Sequence, residues 1–227
     1  MSGEYWVCGQ SIQRLGMFAK WPGDKPKIPW HADFSGYRGT LTPEQLLGAF
    51  SKALSWWVEA AEISLPMVQT AGEALARMHF ARIDGPSGIL AYSELADNTN
   101  QPKTQRYDNS ELWTLEWFLP AVIAHEWGHM FGLEHDSPTS NTLMAPFIQE
   151  DVKKPTPRDI QRLIGLGYKR RTTPIPDPDP IPVPANMIRL KTAKMAGEHG
   201  DFVLGSNLAA GDYLVLLGGA GDPPPVP

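Results

Sequence analysis

The stretch HEWGHMFGLEHD, residues 125–136, determines how this chain is interpreted, because it holds three of the six histidines. Residues four apart are neighbours on a helix surface, so His125 and His129 present two imidazoles to one point. Gly132 allows a sharp turn after the helix, and His135 can return to supply a third nitrogen. Three neutral histidines leave a fourth position open on a tetrahedral zinc ion, as catalytic sites require. The spacing therefore predicts a catalytic zinc site.

Glu126 follows the first of these ligands and is the candidate catalytic residue. Its carboxylate would lie beside the metal, where it can take a proton from zinc-bound water and deliver it to a leaving amine. This chemistry is peptide hydrolysis, so the sequence predicts a zinc-dependent endopeptidase. The plain alternative is a solvated helix with coincidental histidines. That alternative must also explain the glycine and the LMAP sequence that follows at residues 143–146.

Two downstream segments extend the pattern. LMAP carries Met144, nine residues after His135, and TPRDIQRLIGLGY spans residues 156–168. With these segments the chain resembles the metzincin metalloproteases, and among them the matrixins, over about residues 27–170. The resemblance implies an α+β catalytic domain in which a twisted mixed β-sheet packs with three helices. It also implies that Met144 is the methionine-turn residue below the zinc, and that residues 146–147 border the main specificity pocket.

The upstream sequence DGPSGILAYSE, residues 84–94, is similar to a turn and an edge strand of the same family. The resemblance implies that a peptide substrate is added to this edge as an antiparallel strand. It also implies a structural calcium ion, for which oxygen ligands are suitable. An exposed acidic turn is the plain alternative. The matching ligands are the side chains of Asp84, Asp108 and Glu111 and the carbonyl groups of Gly85, Ser87 and Ile89.

The chain also departs from the family pattern. Many matrixins hold a second, structural zinc ion through histidines, but Tyr92 and Tyr107 stand at the corresponding strand positions. We therefore expect no structural zinc and interpret His79 as an ordinary strand residue. Asp136, directly after the third histidine, is commoner in the adamalysin branch than in animal matrixins.

Residues 1–26 form an N-terminal segment that contains the only cysteine, Cys8, followed by Gly9. Matrixins place the Cys-Gly pair of an inhibitory segment at a similar distance before the first strand. A thiolate there would occupy the open zinc position, so Cys8 is a candidate inhibitory latch. The basic and proline neighbours of the family pair are missing, and a lone, partly buried cysteine is the alternative.

The helices of the catalytic domain have clear sequence signals. Thr42, followed by proline and Gln45, forms a capping box that begins a helix over residues 41–61. Pro120 predicts the start of the histidine-bearing helix, and Thr156 predicts the start of the last one.

The remaining organisation follows from composition. The catalytic domain is expected at residues 27–171, and a proline-rich linker, TTPIPDPDPIPVP, at 172–184. Short apolar runs between turn residues predict a small β-rich C-terminal segment at 185–227, which could make a targeting contact. A second hypothesis makes the chain a non-enzymatic binding or assembly protein that keeps a metzincin fold and is attached through this segment.

The charge and hydropathy patterns exclude several partners. The net charge is −5 and the longest run of basic residues covers only 169–171, so nucleic acid and anionic membranes are poor candidates. No apolar run is long enough to span a bilayer, and the N-terminus lacks the profile of a secretory signal. The expected partner is a protein or peptide substrate. The family resemblance nevertheless implies an extracellular location.

Overall fold

A computed structural model describes the part of the chain that carries the predicted domain. The chain divides into two compact units, residues 1–179 and 180–227, each of which is described by itself. The predicted linker lies outside the described residues except for its first position. The described residues are 19–116 and 118–172, together with the backbone of 6–8, 190–191 and 213–214.

A five-stranded sheet forms one layer of the first unit. Its spatial order is β1-β4-β5-β3-β2. Only β4 and β5 pair in antiparallel fashion, while the other neighbours run parallel, so the sheet is mixed. Together with three helices, this sheet confirms the predicted α+β metzincin-like fold class. The strands are β1 (Trp6–Cys8), β2 (Trp30–Asp33), β3 (Ala76–Ala81), β4 (Ile89–Ser93) and β5 (Lys103–Asp108).

The three helices are α1 (Pro43–Ala60), α2 (Phe118–Met130) and α3 (Pro157–Gly165). Both α1 and α3 begin with a complete capping box, in which a threonine side chain and the side chain three residues later satisfy each other's backbone N–H groups. These two starts were predicted correctly from the sequence.

The predicted start of α2 at Pro120 was wrong by two residues, because the helix begins at Phe118. Proline is tolerated at the third helical position since the N–H groups of the first turn have no intrahelical acceptor. Every residue from Leu119 to Met130 is buried. A helix that is apolar on nearly all sides must be enclosed, and α2 packs against both α1 and β4. The predicted histidine-bearing helix therefore lies at the centre of the core.

Trp21 joins the start of the domain to its end, although it lies within the predicted N-terminal segment. Its backbone N–H donates to the Tyr168 hydroxyl at 3.1 Å, and its indole N–H donates to the Met130 carbonyl at 2.7 Å. The Tyr168 hydroxyl in turn donates to the carbonyl of Phe131 at 2.9 Å. The end of α2 is thus fixed by residues that are far apart in sequence.

The second unit contains a short parallel pair, β6 (Leu190–Lys191) and β7 (Tyr213–Leu214). Both strands fall within residues 185–227, where short apolar runs predicted a β-rich segment, and the other residues of that range lie outside the described ones. No helix in the described part of the chain is long and apolar enough to cross a membrane.

Candidate active site

The three predicted zinc ligands come together in the structure. His125 and His129 lie one turn apart on α2, and their ring centroids are 4.8 Å apart. Gly132 ends the helix with a φ of +97°, a conformation that favours glycine. The returning loop brings the His135 ring to within 5.3 Å and 4.7 Å of the other two centroids. One ligand atom from each histidine lies within 4.8 Å of the others.

Hydrogen bonds determine which ring nitrogens of the two helical histidines are available. The Nδ1 of His125 lies 2.6 Å from the Leu143 carbonyl, and the Nδ1 of His129 lies 2.6 Å from the Leu133 carbonyl. A carbonyl can only accept, so both Nδ1 atoms carry the proton. In the neutral rings each Nε2 atom then bears a lone pair, and these two atoms face each other at 3.1 Å. Two opposed lone pairs are unfavourable unless a cation lies beside them, so the arrangement fits a metal.

Burial keeps these rings neutral. It lowers the pKa of His125 to about 3 and that of His129 well below the usual value, and the neighbouring imidazoles add to both shifts. The pKa of His135 is lowered to about 4 by burial and by the nearby Arg162. Neutral imidazole is the form that binds zinc, so all three histidines are in the binding form at neutral pH.

The predicted catalytic residue shares this buried environment. Glu126 is fully buried one residue after His125, whose own exposure is 1%. The Nε2 of His135 has no hydrogen-bond partner among the residues that the structure describes. The cluster therefore combines a carboxylate with histidine nitrogens directed to a common point.

Met144, which the resemblance assigned to the methionine turn, packs against α2. It is fully buried, and a Cβ atom added at Gly128 would overlap its sulfur. Gly128 therefore provides the space into which the methionine turn packs. This role was missed in the sequence, where only the glycine that ends the helix attracted attention.

Asp159 is a second residue that sequence reasoning missed. Its buried carboxylate accepts the backbone N–H groups of Leu143 at 2.9 Å and Met144 at 3.2 Å. Since the Leu143 carbonyl accepts from His125, Asp159 connects α3 to the first ligand through the methionine turn. The capping box of α3 was the available signal, because Asp159 is its third helical residue.

The acidic residues predicted to bind calcium lie around one turn. In the structure their carboxylate oxygens accept backbone N–H groups of that turn. Asp108 is fully buried, and one of its oxygens accepts the N–H groups of Ile83, Asp84 and Gly85 at 3.1–3.2 Å. Glu111 accepts the N–H of Ser87 at 2.7 Å. Asp84 accepts the N–H of Ile89 across the turn.

These three carboxylates do not meet at a single point as the histidines do. Within residues 19–116 and 118–172, the histidine cluster is the only group of three or more histidine, cysteine or acidic side chains within reach of one ion. Burial raises the pKa of Glu111, and the charges of Asp108 and Asp84 add to that shift. By contrast, hydrogen bonds from Ser110 and the turn outweigh the burial of Asp108 and lower its pKa.

A small apolar cavity of about 10 Å³ lies beside the first ligand. It is bounded by Val122 and His125 of α2 and by Leu143, Phe147 and Ile148 of the chain after the third ligand. This volume accommodates roughly one water molecule. Phe147, which the resemblance placed beside the specificity pocket, thus borders this cavity.

The backbone of Trp6–Cys8 lies along the sheet edge on which a substrate strand was expected. It pairs parallel with β4, so that Cys8 is opposite Ala91. This position for β1 was not foreseen from the sequence, since a three-residue strand has too short a pattern to detect.

Comparison with known proteins agrees with the geometry. The matrixin family matches residues 20–166, which is more than half of the chain. Stromelysin-3 of Mus musculus is 32% identical over an alignment of 138 positions, and the match covers 53% of this chain and 25% of that protein. Matrix metalloproteinase-25 of Mus musculus is 28% identical over 146 residues, covering 58% of this chain and 24% of that protein. The chain spans about a quarter of the length of these curated relatives.

Proposed function

Because the chain belongs to the matrixin family, we propose that it is a zinc-dependent endopeptidase with His125, His129 and His135 as metal ligands and Glu126 as the catalytic base. The observation that carries the proposal is the pair of Nε2 atoms of the helical histidines, which face each other at 3.1 Å while their Nδ1 atoms donate to carbonyls. A cation is the partner that such a pair lacks. Ligation by histidine nitrogens suits zinc.

A zinc ion in this cluster would supply a Lewis acid that polarises the peptide carbonyl and makes water more acidic. The residues of the chain perform the rest of the reaction. Glu126 takes the proton of the attacking water and passes it to the leaving amine. The carbonyl groups of Leu143 and Leu133 fix the ring orientation and tautomer of the two helical ligands. Met144 fills the space below them.

The test measures zinc content and peptide cleavage in the same samples. The full chain and its Cys8→Ala variant should cleave a peptide library, lose that activity to a chelator and regain it when zinc returns. Glu126→Gln should keep the zinc but slow hydrolysis by about 10²–10⁴-fold, the usual contribution of a general base. Hydrolysis by Glu126→Gln at the parent rate, or no zinc in any sample, would contradict the proposal.

The small cavity beside His125 suggests a substrate preference. Because Phe147 and Ile148 leave only about 10 Å³ there, the side chain that follows the cleaved bond should be small and apolar. Phe147→Ala should enlarge the cavity and shift cleavage towards leucine and phenylalanine at that position, by roughly 10-fold or more. Val68→Ala, outside the cavity, is the control. An unchanged cleavage profile in Phe147→Ala would remove this preference.

We also propose that the acidic turn binds calcium through Asp84, Asp108 and Glu111 and the carbonyl groups of the turn, once the three carboxylates rotate from their hydrogen-bonded positions towards one point. Three carboxylates lie around one loop, and the raised pKa of Glu111 reflects in part the repulsion between them. A divalent cation would offset that repulsion, and all-oxygen ligation suits calcium. The carbonyl groups assigned to this site are those of Gly85, Ser87 and Ile89.

The N-terminal strand is proposed to keep the active site closed. It occupies the β4 edge in the parallel direction, opposite to the direction expected of a substrate, and Glu126 is fully buried. A chain that begins at residue 18 keeps the Trp21 anchor but frees the edge. Its hydrolysis should exceed that of the full chain by 10-fold or more.

Cys8→Ala separates the two modes of closure, since it removes the thiol but leaves the strand. A higher hydrolysis rate in both variants supports a latch in which the Cys8 thiol binds the metal. A higher rate in the truncated chain alone supports blocking of the β4 edge by the strand. Unchanged rates in both variants would rule out closure by this segment.

A further inference from the structure

The third ligand is supported differently from the other two. His125 and His129 are held by a buried helix and by hydrogen bonds of their Nδ1 atoms. His135 lies on the loop after Gly132, and its Nε2 has no partner among the described residues. The position of its ring therefore depends mainly on the position of this loop.

Two arginines of α3 hold this loop. Arg158 donates to both carboxylate oxygens of Asp136, with an Nε–Oδ2 distance of 2.6 Å and an Nη2–Oδ1 distance of 3.1 Å. Arg162 lies one turn further along the same helix face and donates to the Glu134 carbonyl at 2.8 Å. Its other guanidinium nitrogen is 3.8 Å from Asp136. The residues on both sides of His135 are thus tied to α3.

Asp136 is fixed from its backbone as well. Its N–H donates to the Met144 carbonyl at 2.7 Å, so one residue joins the loop, the methionine turn and α3. Only 9% of the Asp136 side chain is exposed, so its carboxylate is sheltered, whereas the Arg158 side chain is open to solvent. The two-point contact also fixes orientation, which a single charge–charge contact does not.

We propose that Asp136 and Arg158 are positioning residues that hold His135 in ligand geometry, with Arg162 as support. The inference rests on the proposed zinc site. It predicts that loss of the ion pair releases the third ligand while the helical ligands stay in place. The loss should therefore increase the rate of zinc release, and this increase should exceed what any change in the free energy of unfolding explains.

The test follows zinc release from the full chain to a coloured chelator. Asp136→Asn and Arg158→Ala should release zinc about 10- to 100-fold faster than the parent, the usual effect of losing a group that orients a ligand. Arg158→Lys should fall between, because it keeps the charge but not the two-point contact. Arg170→Ala, an exposed arginine outside the pair, should match the parent.

Replacement of zinc by cobalt distinguishes displacement of His135 from a general loss of protein stability. If His135 leaves the metal, the visible absorption of the cobalt-loaded Arg158→Ala protein should change in intensity and position. Arg158 is 64% exposed, so this variant should still fold even if Asp136→Asn does not. Release rates within twofold of the parent and an unchanged spectrum in Arg158→Ala would overturn the inference. A parent chain that binds no zinc would instead overturn the proposed function.

Discussion

The histidine cluster and the acidic turn both collect side chains that can bind metal ions, but they use their ligand atoms in opposite ways. At the histidine cluster, backbone carbonyls accept from Nδ1 and leave the Nε2 atoms facing one another. At the acidic turn, backbone N–H groups already occupy oxygens of Asp108 and Glu111. The facing Nε2 atoms of the histidine cluster are therefore open to a cation, whereas the acidic turn is hydrogen-bonded without one.

Loss of a histidine ligand should give the largest effect. His129→Ala should weaken zinc binding by more than about 100-fold, which exceeds the usual effect of losing a group outside the metal's direct ligands. Hydrolysis should fall with the bound zinc. Zinc content and cleavage rate measured together check this, with His31→Ala as the control because His31 lies on β2 outside the cluster. One retained zinc per chain in His129→Ala would show that the cluster is not the site.

Removal of Asp108 should be the largest perturbation at the acidic turn, and it should act on stability. Asp108→Ala leaves the buried N–H groups of the turn without their acceptor, so the free energy of unfolding should fall by about 3 kcal/mol. Urea unfolding measures this difference in the absence of calcium. Asp24→Ala, which removes an exposed carboxylate outside the turn, should lower stability by only about 0–1 kcal/mol. Equal losses would show that the buried hydrogen bonds give no special support.

Calcium should have a moderate effect on the same turn. With a dissociation constant near that of extracellular modules, 10 mM calcium should raise the free energy of unfolding by about 1–3 kcal/mol. The increase should be absent in Glu111→Gln, which removes the charge but keeps the side chain's size. If the urea midpoint of the parent is the same with calcium as with a calcium-selective chelator, the turn has no calcium site. The turn is then held by its hydrogen bonds alone.

The smallest effect should come from the backbone of the acidic turn. Ser87 has a φ of +65°, yet its contact with Glu111 is made by its backbone N–H. Ser87→Gly should keep that contact and relieve the backbone, so stability should rise by about 0.5 kcal/mol. Asn98→Gly is a matched control, since Asn98 also has a positive φ, at 61°, but lies outside the turn. A loss above about 1 kcal/mol in Ser87→Gly alone would show that its side chain supports the turn.

The two regions also differ in how much of them the sequence predicted. Spacing predicted the convergence of His125, His129 and His135, because four residues make one helical turn and Gly132 permits the return. The capping boxes predicted the starts of α1 and α3 for the same local reason. Such features depend on residues that are close in the chain.

Contacts between distant segments could not be predicted in this way. The bonds from Asp159 to the methionine turn and from Arg158 to Asp136 join residues about 15 and 22 positions apart, and no periodicity encodes them. The start of α2 was misplaced because Pro120 is an equally acceptable residue inside the first turn. The use of Asp108 as an acceptor for the turn depends on the pairing of β3 with β5.

The most direct test of the central claim is a zinc titration of the metal-free Cys8→Ala protein, with peptide hydrolysis measured after each addition. The account predicts that activity rises linearly and stops rising at one zinc per chain, and that Glu126→Gln binds the same single zinc without gaining activity. Zinc binding that saturates at one per chain with no hydrolysis in either Cys8→Ala or the chain that begins at residue 18, or activity that needs no zinc, would contradict the claim that the histidine cluster is the centre of a peptidase.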